Sequence, residues 1–142
     1  AVDRAIEVLK AKGAKRAIKL PVSVPSHTAL MKPAAERLAE RLADIELRTG
    51  EVRDIYTVDV RKHGDAASIR TALIEQLVKP VRWTQTIQAM VAGGARVIVE
   101  CGPGRVLTGL NRRIEKNKDI EMVAIEDAES LQRALQLCGS HS

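Results

Sequence analysis

The strongest fold signal in this chain runs Val97-Ile98-Val99-Glu100-Cys101-Gly102-Pro103-Gly104-Arg105-Val106-Leu107-Thr108-Gly109-Leu110. Three consecutive β-branched apolar residues at its start are typical of a short buried strand. Two glycines around a proline then interrupt the strand, and Val106 and Leu110 resume an apolar spacing of one helical turn. The Gly102–Gly104 turn matches neither the dinucleotide-binding nor the P-loop pattern, so we interpret it as a structural strand-to-helix turn.

The same alternation of strand and helix extends outward in both directions. Apolar spacing predicts a second helix that carries Leu30 to Ile45 and a third that ends at Lys79-Pro80. Pro33 fits the first turn of the second helix, Asp65 is the candidate N-cap of the third, and Gly93-Gly94 ends the fourth. The predicted helices begin near Val2, Leu30, Asp65, Trp83, Val106 and Ala128, and the predicted strands cover 17–22, 52–60, 97–99 and 122–125. This order indicates an α/β chain with mostly parallel strands. Four strands are few for a self-sufficient sheet, so we expect part of the sheet to lie outside this sequence.

Composition excludes several classes of protein. The 142 residues contain one Trp, one Tyr and no Phe, which gives an aliphatic core and argues against modules that stack nucleic-acid bases on aromatic rings. No apolar run approaches the ~18 residues of a membrane span. The two cysteines show no metal-binding spacing, so we expect reduced thiols in the cytoplasm. The first residue is Ala1 rather than Met, so we expect a processed or partial chain.

The net charge of +5 is unevenly distributed. Residues 1–20 carry six basic and two acidic side chains, and a second basic run contains Arg112, Arg113, Lys116 and Lys118. Such runs are usually solvated surface. They would also attract an acidic partner, whether nucleic acid, phosphate or an acidic protein. The charge pattern leaves both interpretations open.

His27 is the residue best placed for chemistry. It lies in a proline-bounded turn between a predicted strand and a predicted helix, where functional side chains often project from a rigid scaffold. The adjacent Ser26 is a poor nucleophile for it, because neighbouring side chains of an extended segment point to opposite faces. The sequence also contains no G-x-S-x-G nucleophile elbow. It therefore offers a candidate base without a candidate nucleophile, and no metal site.

Three motifs together resemble one family. They are Leu20-Pro21-Val22-Ser23-Val24-Pro25-Ser26-His27 with Leu30-Met31-Lys32-Pro33-Ala34, then Gln76-Leu77-Val78-Lys79-Pro80-Val81-Arg82-Trp83, and then the segment from Glu100 to Leu110. In this order and spacing the chain resembles the C-terminal half of the bacterial malonyl-CoA:acyl carrier protein transacylases. The resemblance covers nearly all 142 residues.

That resemblance implies a fold, an activity and a set of roles. Residues 1–22 would be the last helix and strand of a small ferredoxin-like subdomain, and 23–142 the C-terminal part of a large α/β-hydrolase-like domain. The reaction would be cytoplasmic malonyl transfer from CoA to the phosphopantetheine thiol of acyl carrier protein, in fatty acid biosynthesis, through a malonyl-serine intermediate. Malonyl-CoA would be a substrate, and no cofactor or metal would be bound. His27 would be general base and acid, with its ring oriented by the backbone carbonyl of Gln76. Cys101, where relatives usually carry a small or aliphatic residue, would be a buried packing thiol rather than a nucleophile.

Other expectations concern what surrounds the base. The nucleophilic serine has no counterpart here, so the resemblance implies a missing N-terminal half and little activity of this chain alone. Substrate contacts are open, with Ser26 as a candidate, and Arg112, Arg113 and Lys116 are candidates for contact with the acidic carrier protein. The alternative is a non-catalytic basic α/β module that binds an acidic protein or nucleic acid. The scarcity of aromatic residues weighs against nucleic acid, and the sequence predicts no membrane partner.

Overall fold

The computed structural model describes residues 1–48, 50 and 55–140, and forms a mixed α/β fold. The helices are α1 (Val2–Ala11), α2 (Lys32–Ala43), α3 (Ala66–Glu75), α4 (Trp83–Ala92), α5 (Val106–Ile114) and α6 (Ala128–Gly139), with a short 3-10 helix at Ala29–Met31. The strands are β1 (Ile55–Tyr56), β2 (Arg61–Lys62), β3 (Val97–Cys101) and β4 (Glu121–Ile125).

The segment from Val97 to Leu110 folds as the sequence predicts. Strand β3 pairs in parallel with β4, with Val97 opposite Glu121 and Cys101 opposite Ile125. Helix α5 makes the crossover between them, as a parallel pair requires. The main core lies against this pair and contains the buried residues Ile87, Ile98, Ile120 and Met122, with Trp83, Met90, Val91 and Ile114 packed around them. The core is aliphatic, as expected, with Trp83 at its margin.

The expectation for Cys101 was wrong. Cys101 lies at the end of β3 and is exposed in this chain, as is Cys138, and both thiols are free. The expectation came from the small or aliphatic residue that relatives carry at this position, which does not show that the described residues leave this end of the strand uncovered.

A second, two-stranded sheet forms where the sequence predicts one strand over 52–60. Strands β1 and β2 form a two-residue antiparallel hairpin, so among the described residues one strand pair is parallel and one antiparallel, and the expectation of mostly parallel strands is not met there. Of the predicted strand over 52–60, the described residues in a strand are Ile55 and Tyr56, because residues 57–60 form the turn of the hairpin. In that turn Val60 has a left-handed φ of 62°, which a continuing strand would not allow. Residues 52–54 of the prediction lie outside the described part of the chain.

The predicted strand over 17–22 does not form among the described residues. Its alternate side chains Ile18, Leu20 and Val22 are 58%, 70% and 70% exposed. A strand needs a neighbour for its backbone hydrogen bonds, and no described strand lies beside this segment. The segment is tied instead to α1 by an ion pair between Lys19 Nζ and Asp3, at 3.0 Å. Helix α1 itself forms as predicted and is followed by Gly13 in a left-handed conformation, with φ of 93°.

Two helices end earlier than predicted. Helix α2 stops at Ala43, before Ile45, and Pro33 occupies its first turn as expected. Helix α3 starts after Asp65, whose carboxylate accepts a hydrogen bond from Ser68 N at 2.9 Å, so the predicted N-cap is confirmed. It ends at Glu75 rather than Lys79, because residues 76–78 form a turn.

Helices α2 and α3 pack together through a small second core. Ala35 and Leu42 of α2 and Ile69 and Ala72 of α3 are all buried. Arg70 of α3 joins α3 to the C-terminal end of α2. Its Nε donates to Leu42 O at 2.9 Å and its Nη2 donates to Ile45 O at 3.0 Å. The opposite end of the pair holds His27.

Candidate active site

His27 lies in the turn that precedes the 3-10 helix, and its backbone is left-handed with φ of 62°. This conformation is uncommon for a residue with a side chain and is found where surrounding contacts enforce it. Here the backbone N–H of His27 donates to Leu77 O at 3.0 Å. That bond joins the turn to the end of α3, 50 residues later in the chain.

The imidazole of His27 is fixed by the neighbouring carbonyl. Its Nδ1 lies 2.7 Å from Gln76 O. A carbonyl oxygen only accepts hydrogen bonds, so Nδ1 carries the proton and donates. In the neutral ring, Nε2 is then the nitrogen with a free lone pair. The geometry therefore presents a base with a defined tautomer.

The carbonyls come from the C-terminal end of α3, where helical carbonyls lack partners within the helix. Gln76 is the C-cap residue, and the turn after it directs the carbonyls of Gln76 and Leu77 toward His27. A helix C-terminus carries a partial negative charge, which stabilises a cation beside it. An imidazolium at His27 would gain this stabilisation without a buried carboxylate. At the other end of α3, hydrogen bonds from the Ser68 hydroxyl and N–H hold the pKa of Asp65 below its ordinary value.

A small cavity of about 220 Å³ opens beside the ring and is lined by Ser26, His27, Met31, Gln76 and Leu77. Ser26, the candidate for substrate contact, therefore lies at this cavity. Met31 and Leu77 give the cavity an apolar character, which suits an uncharged aliphatic segment of a ligand better than a charged group.

The basic residues predicted to contact a carrier protein lie elsewhere. Arg112 and Arg113 are in the last turn of α5, and neither they nor Lys116 line the His27 cavity. Arg112 Nη2 donates to Met122 O of β4 at 3.1 Å, and Lys116 Nζ donates to Arg112 O at 3.1 Å. Arg112 and Lys116 thus have structural contacts, and the exposed Arg113 projects its charge most freely.

Sequence reasoning missed the role of Glu100. Glu100 lies near the end of β3. Its carboxylate accepts hydrogen bonds from Leu107 N at 3.0 Å, Thr108 N at 2.7 Å and the Thr108 hydroxyl at 2.7 Å. Hydrogen bonding from the Thr108 hydroxyl, followed by the two backbone N–H groups, holds the pKa of Glu100 below its ordinary value. The Glu100 carboxylate therefore occupies two backbone N–H groups of the first turn of α5, which are not available to an external anion.

Two further features of the described residues bear on the chemistry. In residues 1–48, 50 and 55–140, no three His, Cys, Asp or Glu side chains are grouped so as to hold a metal ion. No helix within the same ranges has the length and apolarity required to cross a bilayer.

Comparison with known proteins identifies the family. The acyl transferase domain matches residues 1–135. This chain belongs to the acyl transferase domain family. Among curated acyl transferases, the malonyl CoA-acyl carrier protein transacylase of Haemophilus influenzae is 48% identical over 130 residues, which is 92% of this chain and 41% of that protein. That of Escherichia coli strain K12 is 46% identical over 137 residues, 96% of this chain and 44% of that protein.

Solved structures of this family have the same fold. A malonyl-CoA:acyl carrier protein transacylase from Xanthomonas oryzae superposes with a TM-score of 0.87 at 42% identity, covering 96% of this chain and 43% of that one. A malonyl-transacylase determined in complex with its type II PKS acyl-carrier protein gives a TM-score of 0.86 at 47% identity, with coverage of 96% and 43%. The chain thus spans about two fifths of the length of the acyl transferases that it resembles.

Proposed function

We propose that this chain is part of a malonyl-CoA:acyl carrier protein transacylase and supplies its general base, His27. The observation that carries the proposal is the 2.7 Å contact from His27 Nδ1 to Gln76 O, which leaves Nε2 able to take a proton. The family match and the names of the relatives support the choice of malonyl-CoA as donor and acyl carrier protein as acceptor.

The reaction would be two successive acyl transfers with His27 as the proton carrier. In the first, Nε2 takes the proton of a serine hydroxyl as its oxygen attacks the malonyl thioester carbonyl. The carbon–sulfur bond breaks, and the leaving CoA sulfur receives that proton. In the second, Nε2 takes the proton of the phosphopantetheine thiol, its sulfur attacks the ester, and the proton passes to the departing serine oxygen. The C-terminal carbonyls of α3 would stabilise the imidazolium in both steps.

The serine would come from a part of the enzyme outside these 142 residues, because the sequence contains no nucleophile elbow. Residues 1–22 would belong to the small ferredoxin-like subdomain, as the family resemblance implies, and α1 has no residue buried in a core of the described chain. Residues 23–142 would be the C-terminal part of the α/β-hydrolase-like domain. Incubated alone with malonyl-CoA, the chain should gain no malonyl mass, since a base without its nucleophile retains little of the catalytic effect. A stoichiometric mass increase on the isolated chain would contradict this assignment.

The decisive test is His27→Ala in a complete transacylase that contains this chain. We expect malonyl transfer to fall by at least about 100-fold with the fold retained, because general base assistance contributes roughly 10²–10⁴-fold. Gln76→Ala is the matched control within the site, since it removes the side chain and keeps the carbonyl, and should cost less than about threefold. Near-normal turnover of a folded His27→Ala variant would exclude His27 as the base. A loss of equal size in Gln76→Ala would assign the orienting role to the amide side chain.

The proposed contact between acyl carrier protein and the C-terminal end of α5 depends on the positive charges of Arg112, Arg113 and Lys116. Arg113→Glu should raise KM for acyl carrier protein and reduce its salt dependence, while KM for malonyl-CoA stays the same, because steering by exposed charges is screened by salt. Arg61→Glu, which reverses an exposed charge on β2, is the matched control. Equal effects of the two variants would show that the Arg112, Arg113 and Lys116 patch is only a solvated surface.

A further inference from the structure

The left-handed turn at His27 is held from both sides. On one side, the Nδ1 proton and the backbone N–H of His27 are donated to the carbonyls of Gln76 and Leu77, which directly follow the end of α3. These bonds fix where the residue sits relative to α3. They do not by themselves set the conformation of the chain on either side of His27, which must keep its φ of 62°.

The hydroxyl of Thr28 makes the contacts on the other side. Thr28 Oγ1 donates to Pro25 O at 2.8 Å and accepts from Leu30 N at 3.3 Å. One hydroxyl therefore joins the residue two positions before His27 to the residue three positions after it. Thr28 itself is extended, with φ of −133° and ψ of 164°, and is the N-cap of the 3-10 helix Ala29–Met31. The turn is thus closed across His27 by this side chain.

We infer that Thr28 is a positioning residue for His27. The inference rests on the proposed function, because it matters for catalysis only if His27 is the base. Loss of the hydroxyl leaves Pro25 O and Leu30 N without their partner inside the turn, and the left-handed residue between them becomes free to relax. Relaxation would move the imidazole away from Gln76 O, so that Nδ1 is no longer the only nitrogen that carries the proton. A misplaced or wrongly protonated ring lowers the rate of the chemical step and leaves ground-state binding unchanged.

The test compares three variants of the complete transacylase. Thr28→Val keeps the β-branched shape and removes both hydrogen bonds, whereas Thr28→Ser keeps the hydroxyl. Thr71→Val is the matched control, because the Thr71 hydroxyl also donates to a backbone carbonyl, Ala67 O at 3.0 Å, but away from the turn. We expect Thr28→Val to lower kcat for malonyl transfer about 10-fold with KM for malonyl-CoA within about twofold. Thr28→Ser and Thr71→Val should both stay within about twofold of the parent kcat.

A spectroscopic measurement separates positioning from a general loss of structure. In the complete transacylase labelled with ¹⁵N-histidine, the His27 ring should give the signals of a single tautomer protonated at Nδ1, assigned by their absence in His27→Ala. Thr28→Val should shift these signals toward the average of two tautomers, and Thr28→Ser should restore the parent spectrum. Unchanged kcat and an unchanged tautomer in Thr28→Val would overturn the inference. So would a Thr28→Ser variant as slow as Thr28→Val, or a loss that appears only in KM.

The controls also separate this inference from the proposed function. If His27→Ala keeps its activity, the proposed function fails, and the tautomer signals still show whether Thr28 holds the ring. If His27→Ala is inactive and Thr28→Val behaves like the parent in both readouts, the proposed function stands and the role of Thr28 is refuted.

Discussion

Replacement of Arg70 by methionine should loosen the helix pair that carries His27. Arg70 donates to Leu42 O at 2.9 Å and to Ile45 O at 3.0 Å, at the end of α2 farthest from the His27 turn. Methionine keeps an unbranched apolar stem that can pack along α2 and removes both hydrogen bonds and the charge. The variant therefore isolates the guanidinium.

The expected loss of stability follows from how deeply the two Arg70 hydrogen bonds are buried. Hydrogen bonds from a charged group contribute about 1.5–3 kcal/mol when well buried. Here one is partly buried and the other exposed, so about 1 kcal/mol each is the appropriate figure. Their loss should lower the free energy of unfolding by about 2 kcal/mol and Tm by about 6–8 °C in a chain of this length. Arg70→Lys should recover about half of this, since an ammonium reproduces the charge but not the fork of donors.

The assay is thermal unfolding of each variant followed by circular dichroism at a helix-sensitive wavelength. Arg41→Met is the matched control, because Arg41 is an exposed arginine in the last turn of α2. It should change the free energy of unfolding by less than about 0.5 kcal/mol. A loss below about 0.5 kcal/mol for Arg70→Met, or an equal loss for Arg41→Met, would refute the claim that this guanidinium joins α2 to α3.

Two further predictions concern the core and the start of α5. Ile87→Ala should lower the free energy of unfolding by about 3 kcal/mol in urea titrations followed by Trp83 fluorescence, because Ile87 is 1% exposed within the main core. Leu135→Ala, at a residue 57% exposed, should cost less than about 0.5 kcal/mol, and equal losses would contradict the assigned core. Glu100 has a lowered pKa when folded, so its contribution is present above the unfolded pKa of about 4.3 and is lost as pH falls through the folded pKa. In Glu100→Gln the free energy of unfolding should therefore decrease less steeply below about pH 4 than in the parent. An equally steep decrease in the variant would show that the ionisation of Glu100 is not linked to folding.

The sequence was informative wherever a structure depends on neighbouring residues. The strand, turn and helix from Val97 to Leu110 follow from local patterning, and so do the N-cap at Asp65 and the end of α4 at Gly93. The strand predicted over 17–22 failed because a strand also requires a partner, which local patterning does not reveal.

The candidate site could be predicted only in part, because some of its contacts join residues that are far apart in the sequence. The proline-bounded turn marked His27, but its partners Gln76 O and Leu77 O are backbone atoms about 50 residues away. Every residue has a carbonyl, so no residue type identifies these acceptors, and Gln76 entered only through the family resemblance. Glu100 was missed because a capping side chain is normally sought just before the helix, whereas this one reaches Thr108 from the preceding strand, eight residues away.

The two apolar cores lie in different parts of the chain, which should therefore open with different free energies. The core of Ile87, Ile98, Ile120 and Met122 lies within residues 83–125, whereas His27 is held by α2 and α3, whose own core is smaller. Regions with fewer buried contacts open at lower free energy than the rest of a protein. Amide protons of α2 and α3 should therefore exchange with solvent deuterium sooner than those of β3 and β4. The base would then belong to a cooperative unit that can open and reclose while the parallel strands stay intact.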